Sequence, residues 1–283
     1  MTAGEVLFTG YNQAVEQGYN NVFKGMNKKN ALNGVGPEAE EIEKSVRESV
    51  KKWEETPVEA LDNLTPVQYI NKISDFDYLI ELFKEGSRIC DDNMPAVFLD
   101  KLKEYNSEAV DAVMKLAADK ELLENSKEAD IPVMAVKVLG EWKIDWAVDQ
   151  LIELLFETAG KNELFADSIK NALISIGKPS IEKIMQALNK LDVSGDVQEY
   201  LVTALAEAGK HNRSDDIYRC LKSTFMKMEN KTIGAICLGN YGDGRAIPAL
   251  RGYIQKNRNT LDPETYWEIK SAIYRLGGQI GDI

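Results

Sequence analysis

The chain has 283 residues, with 34 basic and 46 acidic side chains and a net charge of −12. Hydrophobic residues make up 44% of it, which is typical of a soluble globular protein, and no apolar run approaches the roughly 18 residues of a membrane span. The negative charge disfavours nonspecific binding of the whole chain to nucleic acid, because phosphates would be repelled.

The first 60 residues differ from the rest and are predicted to form an N-terminal helical extension. Apolar residues recur at helical spacing near the start, but Gly10, Gly18 and Gly25 interrupt them. Each glycine weakens an isolated helix by about 1 kcal/mol relative to alanine. We therefore expect this helix to need a surface, provided either by the rest of the chain or by another chain.

Short helices are predicted between this extension and the main body of the chain. Thr56 and Thr65 each precede a proline, which is typical of an N-cap followed by the first helical residue. A longer helix is predicted from Asp75 to about Ile89, with Ser74 as its N-cap.

Residues 61–283 carry a repeat of about 33 residues. Its clearest marker is a leucine near the end of each predicted first helix: Leu102, Leu139, Leu173, Leu205 and Leu238. A fixed period of this size predicts stacked supersecondary units. The units begin near 93, 130, 162, 196 and 231, and a sixth leucine, Leu276, marks a terminal half repeat at 264–283.

Each unit is predicted to be a helix, a tight turn and a second helix. The turn lies four residues after the leucine, at Asn106, Lys143, Gly177, Gly209 and Gly242. Glycine and asparagine tolerate the left-handed conformation that ends a helix, and Lys143 departs from this pattern. Eight residues further on, the second helix is predicted to bury Met114, Leu151, Met185, Ile217 and Leu250.

The stretch LGNYGDGRAIPALRGYI, which begins at Leu238, resembles the HEAT-like repeat proteins, in particular the short repeats also found in bilin lyases. The matching residues are Ala235, Leu238, Gly239, Gly242, Asp243, Ala246, Ile247, Pro248, Ala249 and Leu250. The resemblance implies an all-α fold, a right-handed α-α superhelix of helix pairs. It also implies that the second helices line a concave face. Such a resemblance says little about function.

The three glycines of GNYGDG could suggest a phosphate-binding loop. Such a loop requires a buried strand before it, and a Walker loop requires Gly-Lys-Ser/Thr. The register with the other units instead predicts the joint of a helical hairpin. The single histidine, His211, has no nucleophile or metal-ligand spacing near it, so it is predicted to be an exposed loop residue. No catalytic, cofactor-binding or metal-binding residue is therefore predicted.

Trp142, Asp145 and Trp146 form the most suggestive cluster for chemistry. Some HEAT-like DNA glycosylases use tryptophans and an aspartate in a groove, but the likeness is one of residue type only. Those enzymes need a basic groove, whereas residues 91–160 carry 7 basic and 16 acidic groups. An enzyme or enzyme accessory directed at nucleic acid or a tetrapyrrole stays open as the alternative function.

The sequence favours a non-enzymatic scaffold that binds a protein or peptide on the concave face of the stack. Three scattered cysteines predict buried thiols in a reducing compartment, hence the cytoplasm. No cofactor or membrane is expected, and the oligomeric state is open. The predicted partner has an acidic segment, because the outward positions of the later second helices are basic. These partner-binding residues are Lys183, Lys190, Arg219, Lys222 and Arg251.

Overall fold

A computed structural model describes residues 1–25, 37–190 and 195–279. Over these ranges the regular structure consists of sixteen α-helices and three short 3-10 helices, with one isolated bridge between Val58 and Leu64. The predicted all-α class is confirmed. The handedness of the superhelix stays a prediction.

The chain divides into two compact units, residues 1–134 and 135–283. The helices of the first unit are α1 (Ala3–Gly25), α2 (Ala39–Glu55), α3 (Pro66–Lys72), α4 (Phe76–Ile89), α5 (Ala96–Lys103), α6 (Ser107–Ala117) and α7 (Lys120–Glu124). The boundary falls within α8 (Asp130–Glu141). The second unit continues with α9 (Val148–Thr158), α10 (Glu163–Ile176), α11 (Lys178–Leu188), α12 (Gly195–Gly209), α13 (Asp215–Lys227), α14 (Lys231–Tyr241), α15 (Ile247–Asn257) and α16 (Pro263–Arg275).

The glycines of α1 allow it to pack closely within its own unit. A Cβ atom on Gly18 would lie 2.4 Å from the Cα atom of Val46, so only glycine fits at this crossing with α2. On another face, the buried Phe8 meets the ring of Phe98 edge-on, with the centroids 5.5 Å apart. The surface that α1 needs is thus provided by its own chain.

The predicted helix starts are only partly correct. Thr65 is the N-cap of α3, as predicted, and it also forms a capping box with Gln68. The N-cap of α4 is Asp75, whose carboxylate accepts from the backbone of the first turn, and the prediction of Ser74 was wrong by one residue.

The prediction for Thr56 was also wrong, because this residue ends α2 instead of starting a helix. Its backbone is extended, and its hydroxyl donates to the carbonyl oxygen of Lys52. The hydroxyl thereby satisfies an unpaired carbonyl of the last helical turn.

The second unit is built from helices that pack in series. The first helices α10, α12, α14 and α16 lie side by side, and so do the second helices α9, α11 and α13. Small residues set the distance in the first series. A Cβ atom on Gly140 would lie 2.7 Å from the Cα atom of Ala172, and one on Gly239 would lie 3.1 Å from that of Ala272.

Four of the five predicted joints have the left-handed backbone that the sequence suggests. The φ angle is 52° at Asn106, 55° at Lys143, 77° at Gly177 and 79° at Gly242. Gly209 differs, because it is the last residue of α12. A Cβ atom there would lie 3.2 Å from the side chains of Ile217 and Tyr241, so this glycine serves close packing instead of a turn.

The predicted buried stripe of the second helices is confirmed at four of its five positions. Met114, Leu151, Ile217 and Leu250 are all buried. Met185 is half-exposed, and its neighbour Ile184 is fully buried instead. The joint differs between the helices: α6 and α11 begin directly after Asn106 and Gly177, whereas a 3-10 turn precedes α9 and α15. In α6 and α11 the fully buried position therefore lies one residue earlier, at Val113 and Ile184.

The last helix has a register that the leucine pattern misses. An amide of Asn240 donates to the Glu207 carboxylate at 3.0 Å, and Arg275 donates to Asn240 Oδ1 at 2.7 Å. These three residues occupy equivalent positions in α12, α14 and α16. The equivalent of Leu238 is therefore Ile273, which is fully buried, whereas the expected Leu276 is half-exposed at the end of the helix.

Candidate functional site

In two neighbouring hairpins of the second unit, the charges of the second helix are basic beyond Asp215 and Asp216, the first two residues of α13. Residues 217–228, which include most of α13, contain three Lys or Arg side chains and no Asp or Glu. Residues 247–261, which include α15, also contain three and no acidic residue. A surface with charges of one sign produces a positive local potential, although the chain as a whole is acidic.

An open groove of about 500 Å³ lies along these two helices. Its residues combine aliphatic, aromatic and cationic side chains, and Met226 is 54% exposed. The lining consists of Lys222 and Met226 from α13, and of Pro248, Ala249, Gly252, Tyr253, Lys256 and Asn257 from α15. Gly252 has no atom near its missing Cβ, which leaves this part of the groove open.

The floor of the groove is held in place by Lys231, at the start of α14. Its ammonium lies 5.5 Å from the ring centroid of Tyr253 and 5.6 Å from that of Phe225, and the two rings meet edge-on. The same ammonium donates to the carbonyl oxygens of Phe225, Met226 and Met228 at the end of α13. Burial lowers the pKa of Lys231. The aromatic floor is consequently fixed before any partner binds.

The first two predicted partner-binding residues contact side chains of α9. Lys183 donates to the Asp149 carboxylate at 2.7 Å, and this hydrogen bond raises the pKa of the lysine. The ammonium of Lys190 lies 5.9 Å from the ring centroid of Phe156. The carboxylate of Asp149 therefore neutralises the charge of Lys183, and both residues belong to second helices.

The other three predicted residues differ in their surroundings. Arg219 is exposed on α13, and Lys222 lines the groove. Arg251 does not line the groove, since its half-buried guanidinium donates to the carbonyl oxygen of Gln279.

The sequence prediction missed Lys256 and Tyr253 of the groove. Lys256 was not among the partner-binding residues predicted for the second helices. Tyr253 is half-exposed, so it contacts its neighbours and also forms part of the surface. The polar face of α15, identified from the amphipathic pattern of this helix by itself, could have indicated Lys256. The role of Tyr253 depends on Lys231, which belongs to another helix.

The stretch GNYGDG forms a helical joint, as predicted. Gly242 ends α14 with a left-handed backbone, and Asp243 caps the following 3-10 turn by accepting from the amide of Arg245. The Arg245 guanidinium also pairs with Asp215 at 2.7 Å and lies 4.5 Å from the ring centroid of Tyr218. The polar residues of this stretch therefore stabilise the joint.

The remaining candidates for chemistry lie in turns. His211 is exposed, as predicted. Asp145 accepts from the backbone amide of the next residue, Trp146, at 2.8 Å, so its carboxylate is engaged locally in the 3-10 turn. Trp142 is half-buried and Trp146 is exposed.

Cysteines and possible metal ligands give no second site in the parts of the chain that are described. Cys90, Cys220 and Cys237 are buried as free thiols. Burial raises the pKa of Cys90 and of Cys237 to about 12, so neither forms a reactive thiolate near neutral pH. Within residues 1–25, 37–190 and 195–279, no group of three His, Cys, Asp or Glu side chains could hold a metal ion.

The described helices include none with the length and apolar character needed to span a membrane. Comparison with known proteins gave no match to a family model, to a curated protein or to a solved structure. The likeness to HEAT-like repeats therefore rests on the residues of this chain.

Proposed function

We propose that this protein is a non-enzymatic scaffold of the HEAT-like type that binds an acidic segment of a partner protein in the groove between α13 and α15. The observation that carries the proposal is the combination of two basic stretches, residues 217–228 and 247–261, with an apolar, preformed floor. We place this activity in the cytoplasm, in keeping with the three free thiols.

The groove suits a peptide with alternating acidic and apolar side chains. Lys222 and Lys256 supply the charges that attract carboxylates and accelerate association. Met226 and Tyr253 supply apolar surface, and residues of these types are enriched at protein interfaces. Because Lys231 already fixes the ring of Tyr253, little conformational freedom of the floor is lost on binding.

A peptide is favoured over a nucleic acid for two reasons. Affinity for nucleic acid comes largely from many phosphate contacts, whereas this chain has a net charge of −12. The apolar residues at the floor of the groove also match side chains better than a phosphate backbone. Catalysis on a nucleic acid or a tetrapyrrole is the competing hypothesis.

The test is binding of a fluorescent peptide with alternating glutamate and leucine, measured by anisotropy at low salt, where screening is weakest. The double variant Lys222→Glu/Lys256→Glu is expected to lose about tenfold or more in affinity, since close charge pairs across interfaces are strongly coupled. The matched control is Lys183→Glu/Lys190→Glu, which makes the same charge change outside the groove and is expected to retain most of the affinity.

Two outcomes would contradict the proposal. One is an equal loss in the groove variant and the control, which would show only a general effect of net charge. The other is tighter binding of a single-stranded oligonucleotide than of the peptide, lost in the same groove variant, which would support the nucleic-acid alternative.

A further inference from the structure

In the second unit, the first helix of each hairpin packs against the first helix of the following hairpin. It does so through one particular face. In α14, this face contains Gly239, which lies against Ala272 of α16, and Thr232, whose hydroxyl is 2.9 Å from that of Thr265. Gly140 of α8 makes the same close approach to Ala172. The face is thus defined by contacts at more than one junction.

On α16 the corresponding face is aromatic. Because Ile273 takes the place of Leu238, Tyr274 corresponds to Gly239 and Trp267 corresponds to Thr232. Trp267 is 59% exposed and Tyr274 is 53% exposed. They lie two helical turns apart, so they form one stripe on the helix.

A single cation lies within this stripe. The ammonium of Lys270 is 4.4 Å from the ring centroid of Trp267 and 5.9 Å from that of Tyr274. Trp267 is also held edge-on by Tyr266, with centroids 5.8 Å apart. The patch is therefore a supported aromatic surface with a positive charge between its two exposed rings.

Another helix cannot pack here as closely as the earlier ones do. At Gly239 even a Cβ atom would lie 3.1 Å from the backbone of the next helix, whereas α16 has a tyrosine ring at that position. A helix that binds here must have small side chains that leave room for the rings of Trp267 and Tyr274. It must also place a negative group near Lys270, because burying an unpaired ammonium is costly.

We infer that this face of α16 binds an α-helix of another protein, with small side chains around Tyr274 and a carboxylate opposite Lys270. A helix is the expected occupant because α10, α12 and α14 each have the next helix packed against them. The carboxylate follows from charge complementarity with Lys270. This site is separate from the groove between α13 and α15, so it does not depend on the proposed function of the groove.

The probe is a stapled helical peptide with alanines along one face and two glutamates one turn apart on that face. Fluorescence anisotropy is expected to show binding to the full chain. Trp267→Ala is expected to weaken it about tenfold, as for an interface tryptophan. Lys270→Glu is expected to abolish it, and replacing the glutamates of the peptide by glutamine is expected to have a similar effect. The groove variant Lys222→Glu/Lys256→Glu serves as the control and is expected to bind the probe as tightly as the wild type.

Both substituted side chains of α16 are at the surface, so unchanged thermal unfolding will show that the variants are folded. Absence of binding to the wild type, or undiminished binding to Lys270→Glu, would overturn the inference. Sedimentation of the protein without peptide provides the remaining test. Self-association that disappears in Trp267→Ala would assign the face to a second copy of the chain and would likewise overturn it.

Discussion

Helices α9 and α15 follow joints of the same geometry but have surface charges of opposite sign. Each follows a joint with a positive φ angle, at Lys143 and at Gly242, and then a 3-10 turn. Each buries a leucine completely at the same distance from its joint, Leu151 in α9 and Leu250 in α15. The inward positions are equivalent because both helices pack against a first helix in the same way.

The outward positions of the two helices carry charges of opposite sign. The charged residues of α9 are Asp149, Glu153 and Glu157, whereas those of α15 are Arg251 and Lys256. The same backbone geometry is therefore compatible with either sign of charge at the exposed positions. The repeated pattern of buried residues therefore explains the fold, whereas the exposed residues between them decide what each helix can bind.

The strongest test of the shared frame is truncation of the two buried leucines. Leu151→Ala and Leu250→Ala are each expected to lower the free energy of unfolding by about 2–5 kcal/mol, through lost burial and the cavity left behind. Urea denaturation measures both values. A loss at only one of the two positions would show that the two helices are not packed equivalently.

The joints themselves should respond in opposite directions to substitution. Lys143 has a left-handed backbone, which costs a residue with a Cβ atom about 1–2 kcal/mol. Lys143→Gly is therefore expected to stabilise the protein by about 1 kcal/mol, as far as the entropy of the unfolded chain allows.

The matched change at the other joint is Gly242→Ala, which is expected to destabilise the protein. Its φ angle is 79°, and an added Cβ atom would lie 2.7 Å from the guanidinium of Arg213. Unfolding midpoints that moved in the same direction for both variants would contradict the equivalence of the two joints.

Sensitivity to acid should distinguish the two joints further. The hydrogen bond from Arg245 holds the pKa of Asp243 below its usual value of 3.8, whereas the equivalent residue after Lys143 is the uncharged Ile144. Since the folded state lowers this pKa, the stabilisation is complete above the usual value and is lost as the pH falls through the lower, folded value.

Asp243→Asn is therefore expected to flatten the dependence of stability on pH in the acid range. Urea midpoints measured from neutral pH down to about pH 3 test this. Ile144→Val is the control at the other joint and is expected to leave the shape of that dependence unchanged. An identical acid dependence in Asp243→Asn and the wild type would assign the acid response to other carboxylates.

The smallest expected effect comes from breaking the ion pair between Asp149 of α9 and Lys183. Asp149→Ala removes the partner of Lys183, and exposed ion pairs contribute little to stability, so the unfolding midpoint should hardly change. Binding of the acidic peptide should become slightly tighter, because one more positive charge is available. Weaker binding would indicate that Asp149 helps to hold the peptide.

The sequence predicted the helical joints well because their requirements are local. A tight joint between two helices favours a positive φ angle, and this requirement appears directly as Gly177 and Gly242. It also identified the buried leucines, since one helical face repeats at a fixed spacing. It failed at Met185, because the number of residues between a joint and its helix changes which residue points inward.

The candidate groove was predicted only in part. Lys222 follows from the outward positions of the repeat frame, and the structure places it in the groove. Arg251 follows from the same frame but is paired with the carbonyl of Gln279, a residue that no repeat pattern connects with it. Lys183 is similarly paired with Asp149 of the preceding hairpin.

The all-α class, the position of most joints and the leucine core of the second helices could be predicted from the amino-acid sequence. These features depend on backbone propensity and on helical periodicity, which act between residues close in the chain. The basic residues that are neutralised, and the glycines that allow close contact between helices, became apparent from the packing of the helices. This packing also identified Tyr274 of α16 as the counterpart of Gly239. These properties depend on distances between different helices, and such distances are set by packing that no single helix encodes.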